Sequence, residues 1–278
     1  MTSIPAAKAL RFRDLHEQSR AFVIANAWDA GAVRVLAGLG FEAIATSSGA
    51  SAGTLGRRDG QVTRKEALSQ ARTIVESTDL PVSADLEKGF ADAPEDVAIT
   101  IRLAGEAGLA GCSIEDSTGD PRHPLFDIGF ATERIAAAAQ AARSLPSPFV
   151  LTARSENFLA GYPDLDDTIR RLQAYEKAGA DVLFAPGLPS LDAVRTLCAS
   201  VTKPVNFMVG IKGRSFTVPE LEAAGVKRIS LATSLYRAAM TGLLEAAREI
   251  REHGTFNYVD RAMTTAELNG YMRVPIAD

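Results

Sequence analysis

The chain has 278 residues, of which 46% are hydrophobic and 23% charged, and its 30 basic and 34 acidic residues leave a net charge of -4. That balance belongs to a folded globular protein rather than a disordered one, and the lack of any Lys/Arg block interleaved with aromatics argues against nucleic acid as a partner. No stretch reaches the roughly 18 apolar residues a membrane helix needs, and the first 20 residues show no apolar core followed by a cleavage site, so a cytoplasmic protein without a membrane partner is expected.

Residues 1–20 read as a helix ahead of the first strand. Apolar, β-branched runs then predict strands at 21–27, 42–48, 81–87, 110–116, 149–155, 181–187, 204–210 and 228–234. Amphipathic stretches lie between them at 31–40, 63–79, 93–108, 130–145, 164–179, 190–200 and 217–225, and a last one follows at 235–254. Gly or Pro marks many helix-to-strand turns, as in AGLGFEAI and STDLPVSA. Eight such units, with strands too apolar for a half-solvated sheet, predict a closed (β/α)₈ TIM barrel in a single domain. The competing open, doubly wound sheet would have fewer strands and a Gly-rich loop after the first, where this chain reads NAWDAG. The barrel with its N-terminal helix is assigned to 1–253. The tail, 254–278, holds one helix candidate at TTAELNGYM and is expected to be loosely ordered or packed on a neighbouring subunit.

In such barrels the chemistry sits at the C-terminal ends of the strands. Strand alternation puts Ser83, Asp85 and Glu87 on one face, Ser113 and Glu115 on one face, and Thr152 with Arg154 on one face, each opposite an apolar set suited to the helices. Three carboxylates and a guanidinium facing one another need a further cation, and Mg²⁺ or Mn²⁺ suits a few carboxylates with waters and open positions. The competing reading is an ion-pair network of Arg154 and Lys88 with the acids. Arg154 is a planar fork suited to a substrate carboxylate, or else a partner of Glu115 or Glu156. Ser47, Ser48 and Gly49 form either an anion-binding turn or a plain loop, and Asp59 either an acid of the site or a turn residue. Asn26, Trp28 and Asp29 end the first strand, Asp29 reading as a helix cap. Cys112 and Cys198 lack metal or disulfide spacing, and His16, His123 and His253 form no triad with a strand-end residue.

Four motifs, NAWDAGAVRVLAGLGFEAIATSSGASAGTLGRRDGQ, VSADLEKGF, GCSIEDSTGD and LTARSENFLAG, occur in an order and spacing similar to the isocitrate lyase/phosphoenolpyruvate mutase superfamily, over about residues 20–250. The resemblance implies a Mg²⁺-binding barrel acting on small 2-oxo or 2-hydroxy acids through an enolate. It implies Asp85 as the direct metal ligand, Glu87 and Glu115 as holders of the metal's waters, and Asp59 as a further acid of that shell. Ser47, Ser48 and Gly49 would hold the substrate's carboxylate and oxo group, and Arg154 would grip the substrate. It also implies a homotetramer, a dimer of dimers in which the last barrel helix and the tail reach a neighbour.

The chain departs from the superfamily after IED. The lyases there carry Lys-Lys-Cys-Gly-His, whereas this chain reads STGDPRHPLFDIG without cysteine. The mutase and phosphonopyruvate hydrolase residues, a Lys after ED and a later Asn or Thr, are missing too, and the position of the mutase His after strand six falls in FAPG. The expectation is a Mg²⁺-dependent carbon–carbon lyase or decarboxylase acting on a small 2-oxo or 2-hydroxy (di)carboxylic acid, with Arg154 and Glu115 catalytic. C–P bond chemistry (mutase or phosphonopyruvate hydrolase) and a non-catalytic 2-oxo acid binding protein are the alternatives. Asp120, Arg122 and His123 are the candidates to replace the lost proton carrier, and of these His123 is read as catalytic.

Overall fold

A computed structural model describes residues 4–272. The helix α1 (Ile4–Glu17) precedes eight parallel strands: β1 (Phe22–Asn26), β2 (Ile44–Ala45), β3 (Val82–Asp85), β4 (Gly111–Glu115), β5 (Val150–Arg154), β6 (Val182–Phe184), β7 (Val205–Met208) and β8 (Arg228–Ser230). They pair in sequence order and close by β1 against β8, with Phe22 opposite Arg228. The predicted barrel is therefore present, its strands shorter than the apolar runs that announced them.

The connecting helices are α2 (Ala30–Gly38), α3 (Ser48–Thr54), α4 (Arg64–Glu76), α5 (Pro94–Glu106), α6 (Ile128–Arg143), α7 (Leu165–Ala178), α8 (Leu191–Ala199) and α9 (Val218–Ala223), followed by α10 (Ser234–His253) and α11 (Thr265–Tyr271). Local chemistry starts and stops them. Asp29 caps α2 by accepting from the Ala32 amide at 2.7 Å, and Thr63 and Glu66 form a reciprocal capping box on α4. Gly179 ends α7 in the left-handed conformation.

Two apolar clusters hold the fold. One lies between strands and helices and includes Val82, Ala84 and Leu86 from β3 and its end, with Cys112 and Ile114 from β4. The other fills the lower end of the barrel, where Phe12 and Leu15 of α1 meet Phe22, Ile24, Val150 and Val182. The helix α1 is thus a plug. Gly111 makes room for it, since a Cβ there would stand 2.4 Å from the Val150 carbonyl and 3.0 Å from the Phe12 ring.

One feature differs from the sequence reading and two add to it. The Ser/Gly segment after β2 is a helix, α3, rather than a loop, with Ser47 as its cap. The last long helix, α10, buries none of its residues and exposes Met240, Leu243, Leu244 and Ile250. In the tail, a 3₁₀ turn (Asn257–Arg261) precedes α11, whose Tyr271 lies against Gly38 of α2 in the same chain. Residues 273–278 of the tail lie outside the described residues.

Candidate active site

Asp85 is the last residue of β3, and its carboxylate is held from several sides. Its Oδ2 accepts from the Ser48 amide at 3.2 Å; its Oδ1 accepts from the Glu87 amide at 3.3 Å and lies 3.5 Å from the Ser113 hydroxyl. Its own amide donates to the Thr46 hydroxyl at 3.0 Å. The neighbouring strands bring Glu115 and Arg154 to the same level, since these two residues are paired in register. Arg154 Nη1 is 3.3 Å from Glu115 and 3.9 Å from Asp85, its Nε donates to Glu156, and its guanidinium lies over the Phe184 ring.

One guanidinium thus serves three acids in a nearly dry setting, and the balance is negative. Burial raises the Glu115 pKa to about 8, with Glu156, Asp85 and Glu87 adding to it against the opposing pull of Arg154. Burial, then Asp85 and Asp59, raises Glu87 to about 7. Glu156 is raised as well, first by burial. Arg154 is held above its usual value because Glu156, Glu115 and Asp85 outweigh the cost of burying its charge.

Glu87 reaches the cluster by a different route from the one strand alternation suggests. It lies beyond the end of β3 with φ of 50°, a left-handed conformation that a residue with a side chain adopts at a cost. Phe90 and Ala232, also near strand ends, share that feature at 58° and 48°. The strain is therefore concentrated at the open end of the barrel.

The other predicted residues divide into two groups. Ser47 caps α3 through its hydroxyl, Ser48 offers its amide to Asp85, and a Cβ on Gly49 would stand 3.1 Å from Asp59 Oδ2, whose charge acts on Glu87, so the start of α3 and Asp59 do meet the acids. Lys88 does not join them, because it bonds Asp92 at 2.6 Å and the Thr118 carbonyl at 2.8 Å. Asp120, Arg122 and His123 sit on a hairpin closed by the Ser117–Leu125 bridge. Arg122 pairs with Asp120 at 3.1 Å, and His123, its side chain 84% exposed, is 3.9 Å from Asp120. None of the three has a hydrogen bond or ion pair to Asp85, Glu87, Glu115 or Arg154 among the described residues.

Sequence reasoning left four supporting residues unassigned and saw Glu156 only as a possible partner of Arg154. Asp116, on the outer face of β4's end, accepts from the Glu156 amide at 2.8 Å, from Arg171 at 3.1 Å and from the Tyr175 hydroxyl at 2.6 Å. Arg134 of α6 is fully buried and donates to the backbone carbonyls of Lys88, Ala91, Asp92 and Glu115, clamping the turn after β3 onto β4. The available signal was a charged residue in the apolar face of each helix, Arg134 in ERIAAAA and Arg171 in IRRLQAY.

The donor set fits a hard divalent ion held by one direct carboxylate. Among the described residues no three acidic, His or Cys side chains converge as a ready-made cage. Asp85 lines a cavity of about 60 Å³ at the open end, with Ser113 and Arg154 on the same wall. A Mg²⁺ ion retains several waters, which Glu87, Glu115 and Asp59 could hold, and its charge would offset the excess that raises Glu87 and Glu115.

Comparison with known proteins follows the same line. Residues 12–251 match the family described as phosphoenolpyruvate phosphomutase. The chain belongs to that family. It is 31% identical to the 2-methylisocitrate lyase of Escherichia coli over 236 residues, covering 81% of this chain and 78% of that one. A crystal structure from Burkholderia cenocepacia, provisionally described as a lyase/mutase, is 48% identical with a TM-score of 0.96 and covers 98% of both chains. The structure of oxaloacetate acetylhydrolase with its product oxalate is 26% identical with a TM-score of 0.86, covering 98% of this chain and 95% of that one. The predicted superfamily and barrel thus stand, and the relatives include enzymes named for breaking carbon–carbon bonds.

Proposed function

We propose that the protein is a Mg²⁺-dependent carbon–carbon lyase or decarboxylase for a small 2-oxo or 2-hydroxy acid. The observation that carries this reading is the single guanidinium of Arg154 set among Asp85, Glu115 and Glu156 at the open end of the barrel, with Glu87 beside them. Mn²⁺ would serve in place of Mg²⁺. A divalent ion beside Asp85 would supply Lewis acidity toward the 2-oxo oxygen as enolate charge develops there.

The chain's own residues account for the rest. Arg154, backed by Phe184 and fixed by Glu156, presents a planar fork for the substrate carboxylate. The turn at Ser47, Ser48 and Gly49 and the Ser113 hydroxyl border the reacting centre and can orient the acid. Glu115, paired with Arg154 at 3.3 Å, stands at the reacting centre and is the candidate to pass a proton to the carbon from which a group has left. With a 2-oxo acid the departing carboxylate leaves as CO₂ and the bond's electron pair stays on the retained fragment as its enolate. With a 2-hydroxy acid the hydroxyl gives its proton to a base, its carbon becomes the new 2-oxo group, and the pair leaves on the other fragment as the enolate of its carboxylate. In both cases a proton then quenches the enolate.

The names of the relatives favour carbon–carbon over carbon–phosphorus cleavage, as does the absence from this chain of the Lys after ED. The test is purified protein with Mg²⁺ offered oxaloacetate, 2-methylisocitrate, 2,3-dimethylmalate and phosphonopyruvate, with pyruvate, oxalate and phosphate followed separately. Turnover of one of the first three is expected. Turnover of phosphonopyruvate alone, read as phosphate release for a hydrolase or as phosphoenolpyruvate for a mutase, would establish the C–P alternative, and Mg²⁺-dependent binding with none of these products would establish the non-catalytic one. The exposed apolar face of α10 is the surface through which a dimer of dimers would form, in a cytoplasmic enzyme of this kind.

A further inference from the structure

Below the acids the barrel is unlike most of its kind. Interiors of (β/α)₈ barrels are commonly filled by bulky branched side chains. Here the same cavity that Asp85 and Arg154 border is lined by the polar Asn26, Ser83, Asn206 and Ser230 beside the apolar Ile24 and Met208, and it ends on Arg228. Small polar side chains leave this space open. Its floor is a cation.

Arg228 is only 5% exposed, and no carboxylate stands within ion-pair distance of it among the described residues. Its neutral partners are well defined. Nε donates to Asn206 at 2.9 Å, Nη2 to the Thr152 hydroxyl at 3.0 Å, and Nη1 faces His16 Nε2 at 3.4 Å. The Phe12 carbonyl, 2.8 Å from His16 Nδ1, can only accept, so Nδ1 carries the ring proton and Nε2 is the acceptor. Three of the five guanidinium N–H bonds are thus used, and two remain. Burial without an acid pushes Arg228 down to about 9, a sign of how poorly its charge is compensated. A buried, unpaired charge is costly unless something of opposite sign shares the space.

The spacing suits a second anionic group of the substrate. Arg228 bonds Thr152, and Arg154 lies two residues further along the same strand, a rise of about 7 Å. A short dicarboxylic acid gripped at one end beside Asp85 and Arg154 can reach the floor with its other end. We propose that Arg228, held by Asn206 and Thr152, binds the far carboxylate of a short dicarboxylic acid and so sets the preference for diacids over monoacids. This rests on the reading of the open end as a site for 2-oxo or 2-hydroxy acids.

The test is calorimetry of Mg²⁺-loaded protein with lactate and with malate, which differ by the second carboxylate. Malate is expected to bind about 10- to 100-fold more tightly, the range expected of a charge-assisted hydrogen-bonded pair. Arg228→Gln should abolish that difference and leave lactate affinity within about twofold. Should that variant fail to fold, Ser83→Val narrows the cavity with Arg228 in place and should abolish the same difference. Equal wild-type affinities, or a malate preference that survives in either folded variant, would overturn the proposal. So would bicarbonate binding that depends on Arg228 without any malate preference, since the floor would then be an inorganic-anion site. Turnover is not needed for these measurements. Protein inactive on every acid but with an Arg228-dependent malate preference would refute the lyase reading and leave this inference standing; turnover without the preference would refute this inference alone.

Discussion

At the scale of single residues, the account turns on the unequal roles of acids that look alike in sequence. Asp85 alone is placed by its strand to face the cavity with both oxygens already hydrogen-bonded, so Asp85→Asn is expected to lower Mg²⁺ affinity by more than the roughly 10- to 100-fold typical of residues behind a metal's ligands. Glu115→Gln should fall within that range, and titration of each variant with Mn²⁺ would rank them. The identity of these residues was legible because period-two alternation at the end of an apolar run is a direct signal. Glu87 was legible as an acid but not as a left-handed residue, because tertiary contacts rather than local sequence hold φ at 50°. Glu156 stood outside the strand pattern altogether, since its position depends on the Asp116 carboxylate holding its amide. His123 was chosen for its chemistry and loop; the structure places it on the outside of a self-contained hairpin. Its replacement by Ala is expected to leave turnover unchanged within about twofold, and a large loss would return it to the site.

At the scale of elements, the barrel is held at its lower end by α1 and at its upper end by α6. Phe12 is wholly buried in the plug, so Phe12→Ala should destabilise the protein by about 3–5 kcal/mol, read as a shift in the denaturation midpoint. Beside it, His16 is buried and its pKa is lowered to about 3, by burial first and then by Arg228. A histidine neutral when folded and protonated when unfolded stabilises above its unfolded value of about 6.5 and loses that contribution as pH falls toward 3. Denaturation at successive pH values should therefore show a loss of up to about 1.4 kcal/mol per pH unit below 6.5, and His16→Gln should flatten this slope. At the other end, Arg134→Met should cost about 3–5 kcal/mol because it strands four carbonyls and loosens the turn that carries Glu87. The helices with strong periodicity were legible; α3 was not, because SGASAGT has neither an apolar stripe nor strong helix formers and is started by the Ser47 cap.

At the scale of the whole molecule, eight alternating units sufficed to specify the barrel, because each strand is apolar on the helix side and each helix carries one apolar face. What the alternation does not specify is which helix covers its own barrel. The sequence of α10 has the pattern of a covering helix, yet Met240, Leu243, Leu244 and Ile250 remain exposed. Light scattering is expected to give the mass of a tetramer for the native protein and a smaller mass for Leu243→Glu/Leu244→Glu; a monomeric native protein would contradict the assignment of that face. The proposed chemistry depends in turn on a hard cation among the acids of β3 and β4. The most direct measurement of this is the anomalous signal of Mn²⁺ in crystals soaked with the ion and oxalate. The account predicts one peak beside Asp85, with Glu87 and Glu115 turned toward it and oxalate between it and Arg154. Crystals with no ion at that position, and with Asp85 and Glu115 satisfied by Arg154 alone, would contradict it.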